Sequence, residues 1–234
     1  MSESQDEYAE YHENGQLAEH CPMKDGQLEG ELVAYDEEGR VIQRSQLRGG
    51  ELQGETVYYD EEGQVSQKVF FDHGLLHGEM AVFAHGRLQS ITPYQNGKQH
   101  GQVMSYDENG QVQSVMTYQQ GHLHGEARWY DGEGRILKTA FYQRNKLEGD
   151  AAEYYLSGQI RIRTPYRDNQ IEGEVQKFYE SGAIQERRRY LKGKPVEPPL
   201  RYDENGESAE ENPHIEDEQK SFSINKLWQS VLSA

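Results

Sequence analysis

The stretch Gly54-Glu55-Thr56-Val57-Tyr58-Tyr59-Asp60-Glu61-Glu62-Gly63-Gln64-Val65-Ser66-Gln67-Lys68-Val69-Phe70-Phe71 decides how this chain folds. In an extended chain successive side chains point to opposite sides, so Glu55, Val57 and Tyr59 share one face. Asp60 to Gly63 is a turn: Asp starts such a turn well and Gly supplies its left-handed exit. The chain then returns with Val65, Val69 and Phe71 on one face, Gln67 between them, and Ser66 and Lys68 on the other. Period-two patterning on both sides of a turn predicts a β-hairpin.

The same hairpin recurs along the chain. Its turn glycine is found at Gly15, Gly39, Gly63, Gly86, Gly110, Gly134, Gly158, Gly182 and Gly206. Every step is 24 residues except Gly63 to Gly86, which is 23. A fixed period of this length predicts a stacked array in which each unit contacts its neighbours. The turn reads Tyr35-Asp36-Glu37-Glu38-Gly39, Tyr106-Asp107-Glu108-Asn109-Gly110, Tyr130-Asp131-Gly132-Glu133-Gly134 and Tyr202-Asp203-Glu204-Asn205-Gly206 in other units. A second signature, G-x-L-x-G followed by an acid, alternates with it at Gly26 to Glu31, Gly50 to Glu55, Gly74 to Glu79 and Gly121 to Glu126. Asn145 and Asn169 replace its first glycine in two further units. Asn is the non-glycine residue that best tolerates the left-handed region, so this position is expected at φ > 0.

Three rows of side chains repeat with the turns. Leu17, Val41, Val65, Leu88, Val112, Ile136, Ile160 and Ile184 follow the turn glycine by two residues. Met23, Leu47, Phe71, Tyr94, Tyr118, Tyr142, Tyr166 and Tyr190 precede the second signature. Tyr11, Tyr35, Tyr59, Tyr106, Tyr130, Tyr154, Phe178 and Tyr202 stand four residues before the turn glycine, with Phe83 in the short unit. The fold expected is all-β: one elongated antiparallel meander of about eight 24-residue hairpin units, with these rows on one face. At about 4.8 Å per strand, about 16 strands extend roughly 75–80 Å. A sheet that long twists and curls.

These turns and G-x-L-x-G cores resemble MORN repeats over residues 8–206. They look most like the bacterial variant found as the antitoxin component of toxin–antitoxin systems. The resemblance implies the elongated meander, a protein-binding role and an immunity or antitoxin function; it supplies no catalytic residues. Two departures stand out: Gln99 replaces the core Leu, and the last copy is interrupted by Pro195, Pro198 and Pro199, which cannot donate to a ladder.

Composition bounds the function. Of 234 residues 34% are hydrophobic and 16 are Tyr; mean hydropathy is −1.02. Formal net charge is −17. Residues 1–127 hold 7 bases and 22 acids, residues 128–194 hold 14 and 10, and residues 195–234 hold 3 and 9. An acidic front half argues against nucleic acid and anionic membrane and for a protein partner with a basic surface. Met1 to Asn14 is polar and acidic, which predicts neither a signal peptide nor a membrane span. Cys21 is the one cysteine, so no intrachain disulfide forms, and a cytoplasmic setting fits.

The ends read differently. Residues 1–7 are expected to be a disordered acidic N-terminus and 207–220 an acidic linker. In 221–234, apolar residues at Ile224, Leu227, Trp228 and Val231 have the spacing of an amphipathic helix. That helix serves as a cap for the last strand or docks a partner through Trp228.

Candidate chemistry is sparse. His77, His100 and His124 share one slot in successive units, but equivalent slots are two strands apart, about 9.6 Å, too far for one ion. Arg161, Arg163, Arg187 and Arg189 are expected opposite the Ile160/Ile184 row. No nucleophile, phosphate-loop or dinucleotide motif is present, and no metal or cofactor is implied. The expectation is a non-enzymatic binding protein, an antitoxin or immunity protein that neutralises a cognate toxin or secreted effector. The alternative is a scaffold or adaptor, membrane-associated in one version. Partner contact is assigned to the aromatic residues Tyr59, Tyr106, Trp129 and Tyr130, to the acidic edge residues Asp36, Glu37, Glu38, Asp60, Glu61 and Glu62, and to Trp228.

Overall fold

Each unit places one turn on each long edge of a sheet. The computed structural model describes residues 6–208, which form a single antiparallel sheet of 23 strand segments. Pairing runs between chain neighbours throughout, as in Gly54↔Phe71, Gly125↔Tyr142 and Gly173↔Tyr190. Six segments are two-residue leaders, such as Gln27–Leu28 and Lys146–Leu147, each preceding another strand. Counting every leader with its strand leaves 17 strands, against the 16 or so expected. No helix is present among the described residues. The expected C-terminal helix at 221–234, with Trp228, lies outside them.

The Tyr-Asp turns close through their aspartates. Asp60 Oδ1 accepts the backbone N–H groups of Glu62 at 3.1 Å and Gln64 at 2.7 Å. Asp36, Asp107, Asp131 and Asp203 do the same in their units. Where the slot is not Asp, the side chain reaches instead to the next unit: His12 bonds the Tyr35 carbonyl, and the Tyr155 and Tyr179 hydroxyls donate to the carbonyls of Phe178 and Tyr202. The short unit turns tightly at His85 and Gly86, both at positive φ.

The opposite edge is built from two-residue turns. Asn145 and Asn169 have φ of 68° and 65°, as expected from the Asn-for-Gly exchange. The residue before each is also left-handed, Arg144 at 51° and Asp168 at 50°. Two consecutive positive φ values define the type I′ hairpin turn, whose twist matches that of the strands. The N–H of each turn's second residue donates to the carbonyl of the core residue one unit earlier: Gly50 to Leu28, Gly74 to Leu52, Gly121 to Gln99, Asn169 to Leu147. The bond uses main chain only, which explains why Gln99 is tolerated in place of Leu.

The expectation that all three rows share one face needs correction. Tyr58 pairs with Gln67, but Tyr59 pairs with Val65, so Ser66 is an extra residue in its strand. Such a bulge shifts the alternation by one. Tyr59 and Val65 therefore lie with Val57 and Lys68, while Gln67, Val69 and Phe71 lie with Thr56 and Tyr58. The same shift occurs at Tyr35, Tyr106, Tyr130, Tyr154 and Phe178. Each face consequently holds its own aromatic row.

The packed face has a central line of small side chains: Cys21, Ser45, Thr56, Ala127, Ala140 and Ala151, all fully buried. Tyr142, Leu147, Tyr166 and Ile171 flank them in the main cluster, with Met116, Trp129 and Tyr190 against it. A single layer has no second sheet to cover it, so burial comes from large flanking residues leaning over small ones. The buried hydroxyls are satisfied, Thr56 Oγ1 donating to Ser45 Oγ at 3.1 Å.

The array runs slightly past its expected limits at both ends. Its first strand, Asp6–Tyr11, starts two residues early. Tyr202 bridges to Ser208, inside the expected linker.

Candidate functional site

Acids are abundant, and the fold uses most of them. On the face opposite the packed one, Glu31 pairs with Arg44, Glu55 with Lys68, Glu126 with Arg128 and Asp150 with Arg163. On the type I′ edge, Glu29, Glu148 and Glu172 accept the N–H groups of Gly49, Asp168 and Lys192. On the other edge the turn aspartates serve their own turns. The Arg135 guanidinium and backbone N–H hold the Asp131 carboxyl below the usual carboxylate range.

Among the acids that remain are several turn glutamates. Glu37, Glu61, Glu62 and Glu108 are exposed. Their carboxylates form no hydrogen bond or ion pair among the described residues. Glu38 and Glu133 are partly engaged, with Arg40 at 3.0 Å and Arg135 at 2.7 Å. Adjacent turns on this edge are two strands apart, about 9.6 Å. Six expected site residues, Asp36, Glu37, Glu38, Asp60, Glu61 and Glu62, thus stand together on two neighbouring turns. Asp36 and Asp60 are structural members of that group.

Between these turns lies an open cleft of about 440 Å³, lined by Arg40, Val41, Arg44, Tyr59, Glu61, Glu62 and Gly63. Arg40 is held by Asp36 at 2.6 Å and Arg44 by Glu31 at 3.1 Å. The cleft therefore presents a tyrosine ring and two carboxylates to solvent. That chemistry suits a lysine or arginine side chain, through charge and through the ring face.

The four aromatic residues assigned to contact are not brought together. Tyr59, Tyr106 and Tyr130 lie on the charged face, half-buried. Trp129 lies on the packed face, with Lys138 Nζ 5.6 Å from its ring centroid. Trp129 and Tyr130 are consecutive residues of one strand, so alternation puts them on opposite faces. Burial pulls the Lys138 amine down to about 8, against the opposing charge of Glu153. Contrary to expectation, Arg163, Arg187 and Arg189 share the charged face with Ile160 and Ile184. Arg161 does not: it is the bulged residue of its strand and reaches Glu153 at 2.6 Å on the packed face.

The histidine slot has a structural use that the sequence did not reveal. Glu29, Gln53, Glu148 and Glu172 fill it in other units and cap the following turn. His77, His100 and His124 occupy the equivalent place. Among the described residues no three His, Cys, Asp or Glu side chains are grouped to hold a metal ion. No described helix is long and apolar enough to cross a membrane.

No curated protein matches this chain. Among solved structures, the GtfA/B complex bound to UDP and GlcNAc is similar at 15% identity, over 53% of this chain and 24% of that one, with a TM-score of 0.26. The Tc holotoxin pore of Photorhabdus luminescens is similar at 14% identity, over 87% of this chain and 14% of that one, with a TM-score of 0.21. The chain spans less than a quarter of the length of either structure. The model of the MORN repeat variant matches residues 7–25, 52–73, 99–120, 147–168 and 171–192. Five segments of this chain, together just under half of its residues, are thus similar to the MORN repeat variant, and the segments between them repeat the same turns and hydrogen bonds in register.

Proposed function

We propose that this chain is a non-enzymatic, cytoplasmic protein-binding array that acts as an antitoxin or immunity protein, holding a toxin or secreted effector by a basic surface of that partner. One observation carries the reading. The fold engages most acids of the charged face and of the type I′ edge in internal bonds, while Glu37, Glu61, Glu62 and Glu108 point outward from turns along the other edge. Carboxylates spaced in this way steer and register a cationic partner, adding association rate and specificity.

A second reading, a scaffold that joins several partners, draws on the charge asymmetry of the array. Its front half is acidic and residues 128–194 are net basic, so two partners of opposite charge have separate places.

The test is affinity capture of the tagged full chain from its native lysate, with mass spectrometry of what is retained. The antitoxin reading predicts one stoichiometric partner that is basic and toxic when expressed alone. Several substoichiometric partners support the scaffold. A partner set that is unchanged when Glu37, Glu61, Glu62 and Glu108 are replaced by Gln removes the acidic edge from either reading.

A further inference from the structure

On the charged face, the last strands gather cations among few acids. In the strand Ile184–Leu191, alternation places Arg187, Arg189 and Leu191 on this face. Gln176 stands between Arg187 and Arg163 in one cross-strand row, so the strands of the two arginines are about 9.6 Å apart. Two carboxylates share the patch. Asp150 lies 3.8 Å from Arg163. Glu174 is opposite Arg189, but it accepts a hydrogen bond from the Gln176 amide at 2.9 Å. Among the described residues no carboxylate comes within ion-pair distance of Arg187 or Arg189.

Arg187 is prepared for an anion. Its guanidinium carbon is 5.5 Å from the Tyr202 ring centroid, and its Nε is shielded from solvent with no hydrogen-bond partner. A guanidinium already seated on a ring loses less freedom on binding, and partial desolvation strengthens its attraction to a negative group. Leu191, 54% exposed, continues the same line with an apolar contact.

We propose that this strand face binds an extended acidic segment of a partner protein, with carboxylates at two alternate positions on Arg187 and Arg189 and an apolar side chain at the next alternate position on Leu191. The spacing selects this occupant. Arg187 and Arg189 are about 6.8 Å apart along their strand, which is the distance between alternate side chains of another extended chain. Each arginine can hold a carboxylate through two parallel hydrogen bonds. A nucleic acid would run beyond the patch onto residues 1–127, where 22 acids face 7 bases. The inference deepens the scaffold reading and rests on it: the acidic edge takes a basic partner and this patch an acidic one.

Fluorescence anisotropy of the full chain with a labelled peptide tests this. The probe carries Glu at two alternate positions and Leu at the next, with Ser between them. A permuted probe has the same residues with the Glu pair adjacent, and a third probe is single-stranded RNA of equal charge. At low salt the first probe should bind saturably and about threefold tighter than the permuted one, which loses one ion pair. Arg187→Gln/Arg189→Gln should weaken binding about tenfold. Lys98→Gln/Arg144→Gln, an equal loss of charge on the type I′ edge away from the patch, should change it less than about twofold. Arg189→Gln alone, at an exposed side chain, should cost about threefold and reads the site even where the double variant folds poorly. The probes need no basic partner, so failure here is read apart from the capture result that tests the scaffold. Equal binding of the permuted probe or of the RNA, equal losses in the two double variants, or no saturable binding would each overturn the proposal.

Discussion

Gly173 lies under Pro165: a Cβ at Gly173 would stand 3.1 Å from Pro165 Cγ, and its φ is +120°. Gly101 and Pro93 repeat the relationship at 3.0 Å. Gly149 is the same repeat position with φ +82° and nothing within 4 Å. Strain and contact therefore act together at Gly173, whereas strain acts alone at Gly149. Gly173→Ala should destabilise by about 2–3 kcal/mol and Gly149→Ala by about 1–2 kcal/mol. Urea denaturation of both variants checks the order. Equal losses would show that the proline contact contributes nothing.

Asn169 does two jobs. It holds a left-handed φ of 65°, and its Oδ1 accepts the Leu147 N–H at 2.7 Å. Asn169→Gly keeps the backbone and loses the bond, which should cost about 1 kcal/mol. Asn169→Ala loses both and should cost about 1–2 kcal/mol more. Amide exchange at Leu147 should accelerate in both variants.

Lys138 gives the fold a pH signature. Its amine is at about 8 when folded and near 10.4 when unfolded. Below pH 8 both states carry the proton, so Lys138 adds no slope. Between pH 8 and about 10 the unfolded state binds more protons, so stability should rise with pH. Above that range Tyr142, raised to about 12 by burial, acts in the opposite sense. Lys138→Met should flatten the rise between pH 8 and 10 in a series of denaturation curves. A wild-type slope retained in that variant would assign the effect elsewhere.

The hydroxyl of Tyr179 donates to the Tyr202 carbonyl at 2.9 Å and links the last two turns. Tyr179→Phe should cost about 1 kcal/mol. Because units of an array couple mainly to neighbours, the loss should be confined to exchange rates in residues 179–208. A uniform loss along the chain would mean that the array unfolds as one block.

The repeat, its two edges and its left-handed Asn positions were legible because each rests on a residue type with a backbone consequence. The face assignment was not. A bulge after the Tyr-Asp turn depends on how two strands pair, and Ser66, Arg161 and their equivalents share no side-chain type that signals it. The first residue of each type I′ turn was equally silent: Asp25, His73, Gln120, Arg144 and Lys192 all take positive φ there. The turn then owes its shape to the Gly or Asn that follows and to the twist of the strands. For the site, sequence placed the acids on one edge. Only the hydrogen bonds separated Asp36 and Asp60, which close turns, from Glu37, Glu61 and Glu62, which face outward.

The central claim is that outward glutamates on one edge hold a basic partner. The most direct measurement is the affinity of the captured partner for the wild-type chain and for Glu37→Lys/Glu61→Lys/Glu62→Lys, each across a salt series. Exposed ion pairs contribute roughly 0.5–1 kcal/mol each, so three reversals should weaken binding at low salt by about tenfold or more and reduce its salt dependence. Unchanged affinity and an unchanged salt slope would contradict the account.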